Sequence, residues 1–255
     1  MALSGLGLFL LEACAGIGLL LLLFPPATLG KGFFALHGGL AAAFAALAVA
    51  VRPPGMPVGV AGAGAALLAL YTFAAHADLA GRARPLLAAG GGCAAWSVVR
   101  VALVAPGGGQ GGGDAWTAVG ALAGGLFFGA VVLIMNLGHW YLVSRSLSFR
   151  LLARGAVLFA GLAAFRTAYL AVAVASHAGT EGLGALLSVE RDALFFLFRI
   201  LWGIVGPLAL SYFIWRTAEM KSNQAATGLL YVALVFVLIG ELLSSYLTVA
   251  TGFPA

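Results

Sequence analysis

The feature that most constrains the fold is a series of long apolar runs separated by short polar connections. Each run has about 20 residues, the length that an α-helix needs to cross the hydrocarbon core of a bilayer. Helices are favoured because backbone groups in lipid must be satisfied within each segment, and the alternating pattern of a membrane β-barrel is absent. Only 8% of the 255 residues are charged, too few to cover a soluble domain. The sequence therefore predicts an all-α polytopic integral membrane bundle.

Proline- and glycine-rich breaks divide the chain into eight predicted spans within one transmembrane domain, residues 1–255. The spans are expected at about residues 5–24, 33–51, 57–77, 85–105, 117–143, 152–175, 193–215 and 226–249. The glycine-rich segment 106–113 is interpreted as a linker. The first run lacks a preceding basic region and contains Glu12, so we expect a retained span rather than a cleaved signal peptide.

Basic residues are unevenly distributed between alternate connections. The richer side has Lys31, Arg82, Arg84, Arg145, Arg150, Arg154, Arg216 and Lys221. The other side has only Arg52 and Arg191. Because positive residues resist translocation, the richer side is predicted to be cytoplasmic and both termini to lie on the outer side. We expect a multi-pass protein of a bacterial inner membrane, and we interpret the net charge of +5 as topology, not nucleic-acid binding.

Small residues and one proline predict how some spans pack. Gly120, Gly124, Gly125 and Gly129 in the fifth span form overlapping small-xxx-small pairs, which allow helix backbones to approach closely. Pro207 in the seventh span, preceded by Gly203 and Gly206, is expected to bend its helix, since proline removes a backbone donor.

Ionisable side chains inside the spans predict the first candidate site, because burying each one in lipid costs on the order of 3 kcal/mol. Five fall in the outer half: Glu12, Arg100, Arg166, Arg199 and Glu241. Arg199 and Glu241, on consecutive antiparallel spans, are the favoured pair. One hypothesis is a buried ionic latch. The other is a cavity for an anionic or quinone-like ligand or for haem propionates, favoured by three arginines against two carboxylates.

Histidines in the inner half predict the second candidate site. A b-type haem inside a bundle needs two imidazoles on facing helices at equal depth. His76 and His139 match best by depth as ligands of the haem iron, and His37 could replace either. The competing interpretation is that these histidines are interfacial or hydrogen-bonded groups, since His139 precedes the aromatic pair Trp140 and Tyr141.

Other cofactor classes have no sequence signal. Cys14 and Cys93 are isolated within apolar runs, so no zinc or iron–sulfur site is expected on this chain. No nucleotide site is expected either, because the sequence contains no phosphate-binding loop and no dinucleotide fingerprint. No catalytic residues are predicted.

Three functional hypotheses remain open. The first is a membrane subunit of a bacterial respiratory or photosynthetic electron-transfer complex that reacts with quinone and could also hold haem b. Its partners would be the lipid bilayer, quinone or quinol, and further subunits of the complex. The second is a proton-coupled transporter or channel, in which the ionisable side chains line the path. The third is a structural or assembly subunit without a cofactor.

Overall fold

The computed structural model describes residues 2–104, 113–143, 149–178 and 181–255. The α-helices are α1 Ala2–Leu20, α2 Pro26–Val51, α3 Val58–His76, α4 Arg84–Val104, α5 Ala115–Val143, α6 Phe149–Ser176, α7 Glu181–Ser188, α8 Glu190–Ile200, α9 Gly206–Glu219 and α10 Asn223–Thr251. A 3₁₀ turn, Leu21–Leu23, follows α1, and a π-helical segment, Leu201–Val205, joins α8 to α9. Arg145 and all of the predicted linker except Gly113 lie outside the described residues.

The predicted all-α membrane architecture is confirmed. Eight helical stretches among the described residues are long and apolar enough to cross a membrane, and they coincide with the eight predicted spans. The largest difference is at α2, which begins at Pro26 instead of near residue 33. Gly30 breaks that helix with a φ of 73° and a ψ of 164°, so only the part after Gly30 continues as the membrane-crossing helix.

α1 and α5 form the centre of the bundle. About four fifths of each is buried, 78% and 83%, whereas at most 44% of any other span is buried. α1 packs against α2, α4, α5 and α10, and α5 packs against α1, α4, α6 and α10. The other spans surround this pair, with α3 held between α2 and α4 and with α9 between α6 and α10.

Glycines bring α1 and α5 together. A Cβ atom added to Gly16 would lie 1.8 Å from the carbonyl oxygen of Gly125, and one added to Gly129 would lie 2.4 Å from the Gly16 backbone. A Cβ on Gly125 would lie 2.5 Å from the carbonyl oxygen of Glu12. The close approach predicted from the small residues of the fifth span is therefore present, and it sets the position of Glu12.

Before Pro207, where a bend is expected, the helix of the seventh span widens into the π-helical segment Leu201–Val205. The backbone N–H of Gly206 bonds to the carbonyl oxygen of Leu201, five residues earlier. The wider turn lies directly after Arg199, and π-helical segments are frequent at functional sites.

The last four residues turn back into the bundle. Gly252 adopts the left-handed conformation with a φ of 70° and ends α10. Phe253, Pro254 and Ala255 are then buried, with Phe253 packed edge-to-face against Phe196 and against the His177 ring. This tail covers the predicted outer end of the space between α6, α8 and α10.

Candidate functional site

Four ionisable side chains meet inside the bundle: Glu12 from α1, Arg166 from α6, Arg199 from α8 and Glu241 from α10. We call them the charged cluster. Each lies nine or ten residues from the predicted outer end of its helix, or about 14 to 15 Å at about 1.5 Å per residue. Their exposed fractions are 3% or less. The four side chains therefore lie at nearly equal depth in the membrane, and they are also close to one another.

Arg166 and Glu241 form the strongest contact of the cluster. The Nε and Nη2 atoms of Arg166 donate to the two carboxylate oxygens of Glu241, at 3.2 and 2.7 Å. Two-point pairing of this kind fixes the relative orientation of both side chains. The Nη1 atom of Arg166 also donates to the Gly120 carbonyl of α5, at 3.2 Å. Arg166 thus links α6, α10 and α5.

Arg199 is held much less completely. Its Nη2 atom lies 3.3 Å from Oε1 of Glu241, an ion-pair distance. Its Nε and Nη1 atoms have no hydrogen-bond partner among the described groups, although the side chain is fully buried, and Glu241 is the described group that Nη2 meets. Buried polar groups in proteins are nearly always hydrogen-bonded, and leaving one unsatisfied costs about 1–3 kcal/mol. Arg199 therefore offers unused donors in the interior of the bundle.

Glu12 contacts the cluster through a hydroxyl group. Its Oε2 atom lies 2.9 Å from the hydroxyl of Ser245, which also lies 2.9 Å from the backbone carbonyl of Glu241. A hydroxyl has one proton to donate, so Ser245 can satisfy one of these two acceptors at a time. Glu12 also interacts electrostatically with Glu241, Arg166 and Arg199. Among the described residues, no arginine hydrogen-bonds the Glu12 carboxyl group directly.

Three glycines provide the space for these large side chains. A Cβ on Gly124 would lie 2.5 Å from Oε2 of Glu241. A Cβ on Gly203 would lie 2.3 Å from Nη1 of Arg199, and one on Gly240 would lie 2.2 Å from the Gly203 Cα atom. The backbone thus encloses the charged cluster closely, and its volume is set by residues without side chains.

The tail closes the cluster towards the predicted outer side. The backbone oxygen of Ala255 accepts hydrogen bonds from the Ser244 hydroxyl and from Nη2 of Arg166, the latter at 3.4 Å. Ser244 lies 3.2 Å from the same Arg166 nitrogen. One acceptor oxygen therefore already occupies a position beside the arginine pair, and the chain itself provides it.

Arg100, the fifth residue assigned to this layer, lies elsewhere. It is exposed on α4, four residues from the outer end of that helix. A long basic side chain near a helix end can extend to the interface, where burial is not required. The cluster consequently has two arginines and two carboxylates. The expected surplus of one positive charge is not present among these residues, and the unused donors of Arg199 are the feature that favours a ligand.

The candidate haem ligands are not brought together. His76 and His139 are both exposed. They lie on α3, which packs mainly against α2 and α4, and on α5, which packs mainly against α1, α4, α6 and α10. The Nδ1 atom of His76 is 3.0 Å from the Thr72 carbonyl, and that of His139 is 3.4 Å from the Tyr231 hydroxyl. His37 is fully buried, with Nδ1 2.7 Å from the Phe33 carbonyl and Nε2 without a described partner. Haem binding stays a prediction that this arrangement does not favour.

Sequence reasoning missed the two serines of the cluster. Ser244 and Ser245 follow Glu241 by three and four residues, a spacing that places side chains on the same helix face. That spacing was the available signal. The contribution of Ala255 had no comparable signal, because it depends on the reversal of the chain at Gly252.

Comparison with protein-family models finds no matching family, and no curated protein or solved structure matches the chain. The chemistry of the charged cluster therefore has to be inferred from its geometry. It combines fixed positive charge, unused donors and two carboxyl groups in surroundings that exclude water. Such a site can bind acceptor oxygens and can exchange protons with a bound molecule.

Proposed function

We propose that this chain is the membrane subunit of an electron-transfer complex and that it binds a quinone headgroup at the charged cluster. The observation that carries the proposal is the fully buried guanidinium of Arg199, whose Nε and Nη1 donors have no partner among the described residues. A quinone carbonyl is an uncharged acceptor of the size that one guanidinium can bind. The ring would occupy apolar surroundings, as ligand pockets usually provide.

A purely structural latch would be built differently. Buried ion pairs contribute stability only when their remaining donors and acceptors are also satisfied. Arg166 meets that requirement through Glu241 and Gly120, but Arg199 does not. A ligand oxygen bound to Arg199 would complete its hydrogen bonding and would remove this asymmetry.

Each side chain would have a separate role. Arg166 would stay paired with Glu241 and position it, while Arg199 would donate to the ligand oxygen. Quinone reduction consumes two electrons and two protons. The carboxyl groups of Glu12 and Glu241 are the groups of the cluster that can transfer protons. Electrons would come from a redox centre on a partner subunit, since cofactors supply such chemistry and the protein positions them.

A binding assay with arginine variants tests the proposal. Purified protein in detergent is titrated with a fluorescent quinol analogue, and Arg199→Gln is compared with Arg100→Gln as the matched control. Both variants remove one arginine from the outer half of a span, but only Arg199 lies in the charged cluster. We expect Arg199→Gln to weaken binding at least tenfold, because a hydrogen bond from a charged donor contributes about 1.5–3 kcal/mol.

Equal affinity of folded Arg199→Gln and wild-type protein would contradict the quinone site. If that variant instead changes only the melting temperature, the charged cluster acts as a latch. Arg199→Lys provides a further comparison, since it keeps the positive charge but lacks the planar array of donors. It should bind with intermediate affinity if guanidinium geometry matters.

Proton-coupled transport is the second candidate, and the position of Glu12 favours it. Glu12 is buried in the central helix and accepts a hydrogen bond from Ser245 without direct arginine pairing among the described residues. The π-helical segment beside Arg199 is a place where the seventh span could change conformation. Proton uptake into proteoliposomes that stops in Glu12→Gln, with quinol-analogue binding absent, would favour this function over the first.

A further inference from the structure

A groove lies between α2 and α3 at the predicted cytoplasmic end of the bundle. It encloses about 620 Å³. Its walls consist of Lys31, Gly32, Ala35, Leu36, Gly39 and Leu40 from α2 and of Thr72 and His76 from α3. It is separate from the charged cluster, which lies in the predicted outer half of the bundle and includes no residue of α2 or α3.

The groove has the depth of one lipid leaflet. Lys31 and Leu40 are nine residues apart on α2, or about 14 Å at about 1.5 Å per residue. The hydrocarbon core of a bilayer is about 30 Å thick, so one leaflet contributes about half of that. The long axis of the groove therefore matches the space that one acyl chain occupies.

Small residues on α2 produce the hollow. Gly32, Ala35 and Gly39 lie along the same side of the helix and have little or no side chain. A Cβ on Gly39 would meet only the Thr72 methyl group, at 3.6 Å, which is ordinary contact distance. A larger side chain there would fill the groove. The one hydroxyl in the walls, that of Thr72, already donates to the Leu68 carbonyl at 2.8 Å.

The polar end of the groove is basic. Lys31 and His76 are both exposed at its predicted cytoplasmic end, and none of the described residues that line it is acidic. The break at Gly30 places Lys31 at the beginning of the membrane-crossing part of α2. The Trp140 ring of α5 lies beside Gly32, since a Cβ atom added to Gly32 would be 3.2 Å from that ring. Tryptophan prefers the membrane interface, so it marks the headgroup level beside Lys31.

We propose that this groove binds an anionic phospholipid of the cytoplasmic leaflet. One acyl chain lies along Ala35, Gly39 and Leu40, and the phosphate contacts the Lys31 ammonium group. Depth, apolar walls and positive charge at one end together specify this ligand. A quinone would need acceptor-binding groups deeper in the groove, where the Thr72 hydroxyl is already used.

Native mass spectrometry of the protein in detergent tests this site with two lipids, dioleoylphosphatidylglycerol and dioleoylphosphatidylcholine. We expect wild-type protein to bind the anionic lipid more tightly. Lys31→Gln should weaken that binding about fivefold, the change expected for one basic residue near an anionic headgroup. Lys31→Arg should restore it. Gly39→Leu should weaken the binding of both lipids, because it fills the part of the groove that holds the acyl chain.

Arg150→Gln is the matched control. Arg150 is exposed on the same predicted membrane side, on α6, which does not pack against α2 or α3. Equal losses in Lys31→Gln and Arg150→Gln would show general attraction to a basic surface and would overturn the site. Equal wild-type affinity for the two lipids would also overturn it. If Gly39→Leu fails to fold, the comparison of Lys31→Gln with Lys31→Arg still decides.

Discussion

Glu241 is the residue on which both buried arginines depend. It takes two hydrogen bonds from Arg166 and lies 3.3 Å from Arg199, whereas Glu12 accepts only from Ser245 among the described contacts. We expect Glu241→Gln to destabilise the protein by about 3–5 kcal/mol, because it leaves buried positive charge uncompensated. Glu12→Gln should have a smaller effect, since its amide oxygen can still accept the Ser245 proton. Thermal unfolding in detergent compares the two.

Each variant replaces one carboxylate oxygen by an amide nitrogen, and the two positions are equally buried. Each variant therefore serves as the control of the other. Equal decreases in melting temperature would mean that Glu12 also compensates the charge of a buried arginine. That result would contradict the division of roles described for the charged cluster.

Asp114 is the residue whose charge should stabilise the start of α5. Its Oδ1 atom accepts hydrogen bonds from the backbone N–H and the hydroxyl of Thr117, at 2.8 and 2.9 Å. Burial alone would raise the pKa of Asp114, but these two hydrogen bonds bring it below its ordinary value of 3.8. Asp114→Ala should cost about 1 kcal/mol, as loss of a helix cap usually does. Asp114→Asn should cost less, because its amide oxygen can accept the same bonds.

The pH dependence of this contribution has a definite sign. A carboxyl group with a lowered pKa in the folded state stabilises that state at pH values above its unfolded pKa. The stabilisation is lost as the pH falls through the lowered value. The difference in melting temperature between wild type and Asp114→Ala should therefore be constant near neutrality and should shrink below pH 3.8. A difference that grows on acidification would contradict the cap.

For single residues, the sequence predicts how deep an ionisable side chain lies in the membrane. It does not predict whether that side chain points into the bundle or towards lipid. Arg199 and Glu241 were paired from depth and adjacency alone, and they lie within ion-pair distance. Arg100 falls in the same outer half of its predicted span, yet it lies only four residues from the end of α4 and is exposed. Each of these spans is apolar around nearly its whole circumference. The sequence therefore lacks the polar face that would show which side of the helix points into the bundle.

At the scale of elements, the contact between α1 and α5 is set by backbone proximity. A Cβ at Gly16 would lie 1.8 Å from the Gly125 carbonyl oxygen, and neither backbone can move freely within the centre of the bundle. Gly16→Ala should therefore lower stability by about 1–3 kcal/mol, the usual cost of overpacking. Gly161→Ala on α6 is the control, because no described atom beyond the neighbouring backbone of its own helix lies within 4 Å of its added Cβ. Melting temperatures of the two variants test this directly, and equal values would contradict a tight α1–α5 contact.

The eight spans could be predicted because length and hydrophobicity are local properties of the sequence. The π-helical segment Leu201–Val205 could not be predicted, although Pro207 indicates a bend in this span. Its form depends on contacts made by other elements: Gly203 lies against Gly240 of α10, and Gly206 lies against Phe236. Such packing is fixed only when the seventh and eighth spans meet.

At the scale of the whole molecule, the charged cluster is enclosed by the central helices on one side and by the tail on the other. Residues 252–255 cover the cluster towards the predicted outer side, where the Ala255 oxygen accepts a hydrogen bond from Arg166. Phe253 is fully buried in this tail, against Phe196 and the His177 ring. Access to the proposed quinone site should therefore depend on the packing of one aromatic side chain.

Labelling of a cysteine beside the cluster tests this dependence. In a Cys14→Ala, Cys93→Ala background, Ser244→Cys places a thiol beside Ala255, and a membrane-impermeant methanethiosulfonate is added from the outer side. Phe253→Ala should accelerate labelling by up to on the order of 100-fold, because loss of a buried phenyl group favours opening of the tail. Leu3→Ala, a truncation at an exposed position near the same side, should leave the rate unchanged. If Phe253→Ala remains folded and labels at the wild-type rate, the tail does not control access. Labelling that occurs only from the opposite side would contradict the predicted membrane orientation of the chain. In that case the end of α10 nearest the cluster would lie on the other side of the membrane.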